Sequence, residues 1–295
     1  MDAKNPPVAL TDRGSQRSAI GQHGRLLVCA TPIGNLEDVT LRVLAALREV
    51  DIVACEDTRH TKILLDRHGI AAKLVSYHEH NERARANQLV ERIRAGETVA
   101  LVSDAGMPLI SDPGFALVQA AVEAGLPVEV LPGPSAVLSA LVASALPSER
   151  WRFVGFLPRK RAERERLLAH EQETLVAFES PRRLAATLEQ LAERDPDRPL
   201  AVCRELTKRH EEVRRGSAAE LAKHYGESAP RGEIVIVVGG DTSSPASPAN
   251  REEALGALRE LVDAGARTRA AATVVAKLTG VGANELYRQL MNGGQ

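Results

Sequence analysis

The chain has 295 residues, enough for one large or two ordinary domains, and its 44% hydrophobic and 26% charged residues are those of a globular protein, not a disordered one. With 38 Lys and Arg against 39 Asp and Glu, the formal net charge of -1 excludes a histone-like polycation and confines any nucleic-acid surface to a local patch. No run approaches the roughly 18 to 20 apolar residues of a membrane span, and residues 1–24 lack the apolar stretch of a signal peptide. A cytoplasmic protein with a flexible N-terminal tail and no membrane partner is the expectation.

Residues 26–30 (LLVCA) are apolar without alternation, as in a strand buried on both faces of a parallel sheet. Similar strands are predicted at 51–55, 73–75, 98–102 and 127–131, with helices near 40–49, 58–68, 81–95 and 114–124. That alternation argues for β-α-β units. A helix over 134–145 closes the first α/β domain, 25–146, and Leu146-Pro147-Ser148 marks its end, because proline disfavours helix at the preceding residue. A second, mixed α/β domain over 147–240 has strands near 151–157, 174–178, 200–203, 212–215 and 233–238, with helices near 161–170 and 181–194. Residues 241–250 (DTSSPASPAN) form a Ser/Pro linker that cannot pack a core. Beyond it, helical blocks at 251–264 and 268–290, the latter broken by Gly280-Val281-Gly282, make a C-terminal module. It reads either as a helix-turn-helix or as a plain helical hairpin.

Cys29, Cys55 and Cys203 form no C-x-x-C pair, which excludes a disulfide scaffold and a zinc ribbon and leaves small buried thiols on strands. His78 and His80 lack a nearby third metal ligand, so a solvated or substrate-facing loop is the preferred reading and no metal is expected.

Three loops each follow a predicted strand and combine Gly and Pro with short polar side chains: Thr31-Pro32-Ile33-Gly34-Asn35-Leu36, Ser103 to Gly114, and Leu131-Pro132-Gly133-Pro134-Ser135-Ala136. In open α/β sheets ligands bind beyond the carboxyl ends of the strands, which makes these loops one candidate site. No G-x-G-x-x-G follows the first strand and no P-loop is present, so phosphate cradles for dinucleotides or nucleoside triphosphates are disfavoured. Prolines supply no amide donor, and such loops suit a cationic or neutral ligand. Asp104 offers a carboxylate to an ammonium or ribose hydroxyl, and Ser135 either contacts the ligand or caps a helix.

These loops, together with Glu56-Asp57-Thr58-Arg59-His60-Thr61, Gly155-Phe156-Leu157-Pro158, Glu179-Ser180-Pro181-Arg182-Arg183 and Arg204-Glu205-Leu206-Thr207-Lys208, resemble the bacterial 16S ribosomal RNA cytidine 2'-O-methyltransferases, a branch of the tetrapyrrole methylase family. The resemblance runs in order over about residues 25 to 240 and extends over the C-terminal helices. Ser103-Asp104-Ala105 stands where tetrapyrrole-modifying members usually have Gly-Asp-Pro, which favours the ribosomal branch, while Met107 departs from the Thr more common there.

The resemblance implies two α/β domains with S-adenosyl-L-methionine in the cleft between them, plus the C-terminal helical module. Its implied cofactor-binding residues are Pro32, Gly34, Asn35, Asp104, Ala105, Gly106, Ser111, Asp112, Pro134, Ser135, Ala136, Ser180 and Leu206. The implied substrate is 16S rRNA within the small ribosomal subunit, and the implied assembly a homodimer; DNA is not a partner. A ribose hydroxyl is a poor nucleophile at neutral pH, so a base is expected at Asp57 or Glu56, although Asp57 reads equally as a helix N-cap. For RNA phosphates, residues 152–166 hold Arg152, Arg159, Lys160, Arg161, Arg164 and Arg166 against Glu163 and Glu165. Arg159, Lys160 and Arg161, with Arg59 and Lys208 from the matched motifs, are the RNA-binding candidates, a solvated helix face being the other reading. The rivals are a methyltransferase acting on a tetrapyrrole and a non-catalytic ribosome-binding factor.

Overall fold

In the computed structural model, residues 24–168, 173–228, 230–240, 248–279, 281 and 283–292 are described. The expected tail up to residue 23, residues 241–247 of the expected linker, and Gly280 and Gly282 lie outside them. The chain divides into two compact units, one ending at Pro134 and the other starting at Ser135, with Ile33–Asn35 counted in the second.

The first unit holds five parallel strands, β1 (Leu26–Cys29), β2 (Ile52–Cys55), β3 (Leu74–Ser76), β4 (Val99–Val102) and β5 (Val128–Leu131), in the order β3-β2-β4-β1-β5. The four residues of β1, β2 and β4 are all buried, because helices cover both faces. Alternate residues serve opposite layers. Leu27, Cys29, Val53, Cys55, Ala100 and Val102 meet α1 (Leu41–Glu49) and α2 (Thr58–Arg67), whereas Leu26, Val28, Ile52, Ala54, Val99 and Leu101 meet α3 (Glu82–Arg94) and α4 (Phe115–Glu123). β1 and β4 are central neighbours, with the chain leaving β1 for β2 on one side and β4 for β5 on the other. That reversal of winding opens the crevice where ligands bind in doubly wound sheets.

The second unit is a mixed sheet of β6 (Trp151–Phe156), β7 (Thr174–Glu179), β8 (Pro199–Arg204), β9 (Glu212–Ser217) and β10 (Ile234–Val238), ordered β6-β7-β10-β8-β9. The β6–β7 pair is parallel and the other pairs are antiparallel. One face packs on α6 (Arg161–Leu168), α7 (Leu184–Arg194) and α8 (Ala218–Glu227); the other, through Val176, Ala201, Cys203, Val235 and Val237, packs on α5 (Ala136–Ser144).

Two expectations are corrected here. The helix expected to close the first domain belongs to the second unit, since Val137, Ala140 and Leu141 of α5 are buried against its sheet. α8 was not anticipated at all, although Ser217 and Glu220 form a reciprocal capping box at its start. The C-terminal module is three helices, α9 (Pro248–Asp263), α10 (Thr268–Thr279) and α11 (Ala283–Asn292), closing a core of Ala254, Leu258, Ala272, Val275 and Leu286. A hairpin of α10 and α11 is therefore packed on a third helix. Among the described residues, no helix is long and apolar enough to cross a membrane.

Candidate active site

The carboxyl edge of the first sheet carries most of the singled-out residues. Thr31 and Gly106 exchange backbone hydrogen bonds of 2.8 and 3.1 Å, so the loops after β1 and β4 are stapled together just beyond their strands. The Thr31 hydroxyl donates to the Ser103 carbonyl (3.0 Å) and the Ser103 hydroxyl to that of Gly106 (3.2 Å), which fixes the Asp104-Ala105-Gly106 turn. Gly106 sits at φ 81°, and further along the same loop Leu109 and Ser111 occupy the left-handed region at 73° and 68°. Non-glycine residues held there mark a constrained, often functional segment. After β5, a Cβ on Gly133 would lie 2.9 Å from that of Ala30, so the Pro132-Gly133-Pro134 turn passes the end of β1 at backbone contact distance.

Asp104 connects this loop to the end of β2. Its Oδ1 accepts the Asp57 backbone N–H (3.1 Å), and its Oδ2 lies 3.6 Å from His60 Nδ1. Asp57 is the N-cap of α2: its Oδ1 accepts the Arg59 N–H (2.8 Å), and the Arg59 guanidinium grips both oxygens at 3.1 and 2.7 Å. Those bonds hold the Asp57 carboxyl well below the usual carboxylate range, which makes it a feeble base. Glu56 moves the other way. Burial, then the neighbouring Asp104 charge, raises its pKa above the ordinary glutamate value, with His78 opposing. Of the two expected bases, the geometry commits Asp57 to capping and leaves Glu56.

The remaining cofactor candidates lie in the second unit. Asn35 donates its N–H to the Thr207 hydroxyl (3.0 Å), and a Cβ on Gly34 would stand 2.5 Å from Lys208 Cγ and 2.7 Å from Thr207 Oγ1. Two motifs far apart in sequence are thus packed together, the Gly34-Asn35 backbone against the Thr207 and Lys208 side chains, with Glu205 and Thr207 at φ 51° and 66°. Leu206 is buried in the core under α5, so its side chain offers a ligand nothing and its backbone alone remains. Ser135 caps α5, accepting the Leu138 N–H (3.4 Å), and Ala136 opens that helix. At the end of β7 the buried Glu179 carboxylate accepts the Ser180 N–H (2.6 Å) and the Thr187 hydroxyl (2.7 Å) and pairs with Arg183 (2.5 Å). Arg183 also donates to the Leu157 carbonyl (3.1 Å), tying the loop after β6 to the one after β7.

The basic residues divide by burial. Arg159, Lys160 and Arg161 are exposed; Lys160 pairs with Glu163 and Arg161 with Glu193. Arg164, counted in the same patch by sequence, is buried, donating to Gln190 (2.7 Å) and the Pro158 carbonyl (3.1 Å), so it braces α6 instead of facing solvent. Lys208 is likewise withdrawn from phosphate binding, its ammonium held 3.0 Å from both Glu205 and Glu233. Arg59 keeps an exposed guanidinium beside Asp57. All three cysteines are buried strand residues, and desolvation pushes the Cys29 thiol to about 12 and the Cys203 thiol to about 11, so neither is a nucleophile at neutral pH.

A two-layer-covered parallel sheet with a stapled, proline-flanked rim, followed by a mixed α/β unit, is the architecture of a recognised group of methyltransferases. Residues 25–222 match the family model for tetrapyrrole (corrin/porphyrin) methylases, and the chain belongs to that family. It is 46% identical over 271 residues, 90% of this chain and 91% of the relative, to ribosomal RNA small subunit methyltransferase I of Mesorhizobium japonicum. Among solved structures it resembles uroporphyrin-III-C-methyltransferase from Thermus thermophilus, with a TM-score of 0.55 and 26% identity over 73% of this chain and 94% of that one. A second structure of that fold, uroporphyrin-III C-methyl transferase from Thermus thermophilus complexed with S-adenyl homocysteine, has a TM-score of 0.52 and 22% identity over 73% of this chain and 97% of that one.

Proposed function

We propose that this chain is an S-adenosylmethionine-dependent methyltransferase that modifies the ribose 2'-hydroxyl of a cytidine in 16S rRNA, on the small ribosomal subunit, in the cytoplasm and as a homodimer. The observation that carries the reading is the 46% identity to a small-subunit rRNA methyltransferase across 90% of the chain, well past the family match. The residues of the first unit's rim fit the methyl donor. Gly106 and Gly133 keep the backbone bare where it approaches β1, and Asp104, beyond the bond it accepts from Asp57 and its 3.6 Å contact with His60, retains lone pairs for the donor.

The donor supplies a methyl carbon on a sulfonium, whose departure as a neutral thioether needs no acid. The chain's own residues have three tasks. Rigid loop carbonyls and Asp104 hold the donor, and positioning of this kind contributes several kcal/mol, up to roughly 7 to 11 in ideal intramolecular cases. Glu56 Oε receives the 2'-hydroxyl proton as the new C–O bond forms, later releasing it to water, a contribution of around 10² to 10⁴ in rate. Arg159, Lys160 and Arg161 hold RNA phosphates, and Arg59 adds an exposed cation beside Asp57. Mass spectrometry of ribosomal RNA nucleosides from cells with and without the protein tests the function. Loss of one 2'-O-methylcytidine is expected on deletion, and an unchanged nucleoside profile overturns the assignment.

A further inference from the structure

We infer that Glu82 is a positioning residue for the methyl-donor site, holding the constrained loop after β4 in its binding form from another element of the sheet's edge. This rests on the reading of the first unit's rim as the donor site. Glu82 opens α3, yet its Oε1 caps a different helix, accepting the N–H groups of Gly114 (3.0 Å) and Ala116 (3.1 Å) at the start of α4. α4 has no cap of its own, because Gly114 carries no side chain and sits at φ 142°. A carboxylate there satisfies two otherwise orphaned donors and meets the positive end of the helix dipole.

The same oxygen accepts the hydroxyl of Tyr77 (3.2 Å), a side chain only 1% exposed. Tyr77 in turn donates its N–H to the Cys55 carbonyl (2.8 Å), immediately before Glu56. The turn between them is closed by Asn81, which accepts the His78 N–H (3.0 Å). One connected set of bonds thus runs from the strand end that bears the proposed base to the loop that bears Ser111 and Asp112. At its far end, a Cβ on Gly114 would lie 2.8 Å from Leu109 Cδ1, so fixing Gly114 also fixes the left-handed Leu109 and, two residues on, Ser111. Backbone in that region persists only where its surroundings over-determine it, and Glu82 contributes a charged anchor from outside the loop.

Calorimetry with S-adenosylhomocysteine and steady-state methylation of small ribosomal subunits, both on the full chain, test the inference. Glu82→Ala is expected to raise the Kd for S-adenosylhomocysteine and the KM for the donor by about tenfold or more, the loss of charge-assisted hydrogen bonds. kcat at saturating donor should stay within about threefold, since no group at the reacting atoms is removed. Glu82→Gln should recover most of the lost binding, because its amide oxygen can still accept the two N–H bonds of α4. A merely structural cap would lower the active fraction and kcat while leaving KM in place, and that pattern, or wild-type affinity in Glu82→Ala, overturns the inference. If Glu82→Ala fails to fold, Glu82→Asp, one methylene too short to serve both N–H groups, must show the same rise in KM, and normal affinity in it is equally fatal. Absence of S-adenosylhomocysteine binding by the wild-type chain brings down the donor-site reading itself; normal wild-type binding with unchanged variants brings down the role of Glu82 alone.

Discussion

Asp57 and Glu56 are adjacent acids after β2 with opposite environments, one clamped by the Arg59 guanidinium and the other raised by burial and by Asp104. Glu56→Gln should therefore reduce single-turnover methylation by about 10² or more with both binding constants nearly unchanged. Asp57→Asn, which caps almost as well as Asp, should keep both rate and stability; rapid-quench assays and thermal melts of the two variants decide the matter. A pH profile adds an independent check. A base works deprotonated, so kcat falls as pH drops through its pKa, and in this protein that acid limb lies above the ordinary glutamate value. Removing the Asp104 charge in Asp104→Asn lowers the Glu56 pKa and moves the limb to lower pH, whereas a limb that stays put would assign the titration to another group. The capping reading of Asp57 was legible in the sequence because a cap acts on residues two or three further on. Glu82 and Glu179 were not, since no local pattern says which distant backbone or guanidinium will meet a given carboxylate.

Among the elements, strands read most clearly, because a short apolar run without alternation admits few other solutions in a chain of β-α-β rhythm. α5 lies at its expected place but belongs to the second unit. Its sequence AVLSALVAS is apolar on nearly every side, so periodicity names no face and cannot tell which sheet it will cover. α8 shows the reverse case: Ser217-Ala218-Ala219-Glu220 is a legible capping signal at the start of a helix absent from the expected elements. The box makes a direct prediction. Ser217→Ala leaves a helix N–H unsatisfied and should cost about 1 kcal/mol, read as a lower denaturant midpoint at constant slope. A midpoint indistinguishable from wild type would mean that tertiary burial of Leu221 and Tyr225 alone fixes α8.

At the scale of the whole molecule, a net charge of -1 hid a local patch, as composition sums do, and the patch is smaller than its sequence because Arg164 faces inward. The ion pairs of Lys160 and Arg161 are solvent-exposed and worth no more than roughly 0 to 1 kcal/mol each, so phosphates can replace those partners at little cost. Replacing Arg159, Lys160 and Arg161 together with Ala should raise the KM for small subunits and flatten the plot of log affinity against log salt by about one per lost phosphate contact. Donor affinity should not move, and an unaltered salt slope would return the cluster to an ordinary solvated face.

The strand order also constrains how the protein is made. β1 leaves the ribosome first, yet its register partners begin at Val99 and Val128, so it has no neighbour until most of the first unit has been synthesised. In the second unit a central strand also comes late, because β10, the last of the described strands, inserts between β7 and β8 and supplies an edge to each. Nascent chains that stop short of Val238 carry two apolar strands with open edges and no shared neighbour, the form in which strands seek partners on other chains. Each sheet is thus joined late by a central strand, β4 in the first and β10 in the second, and premature termination or slow decoding between β8 and β10 leaves the facing edges of β7 and β8 open to aggregation.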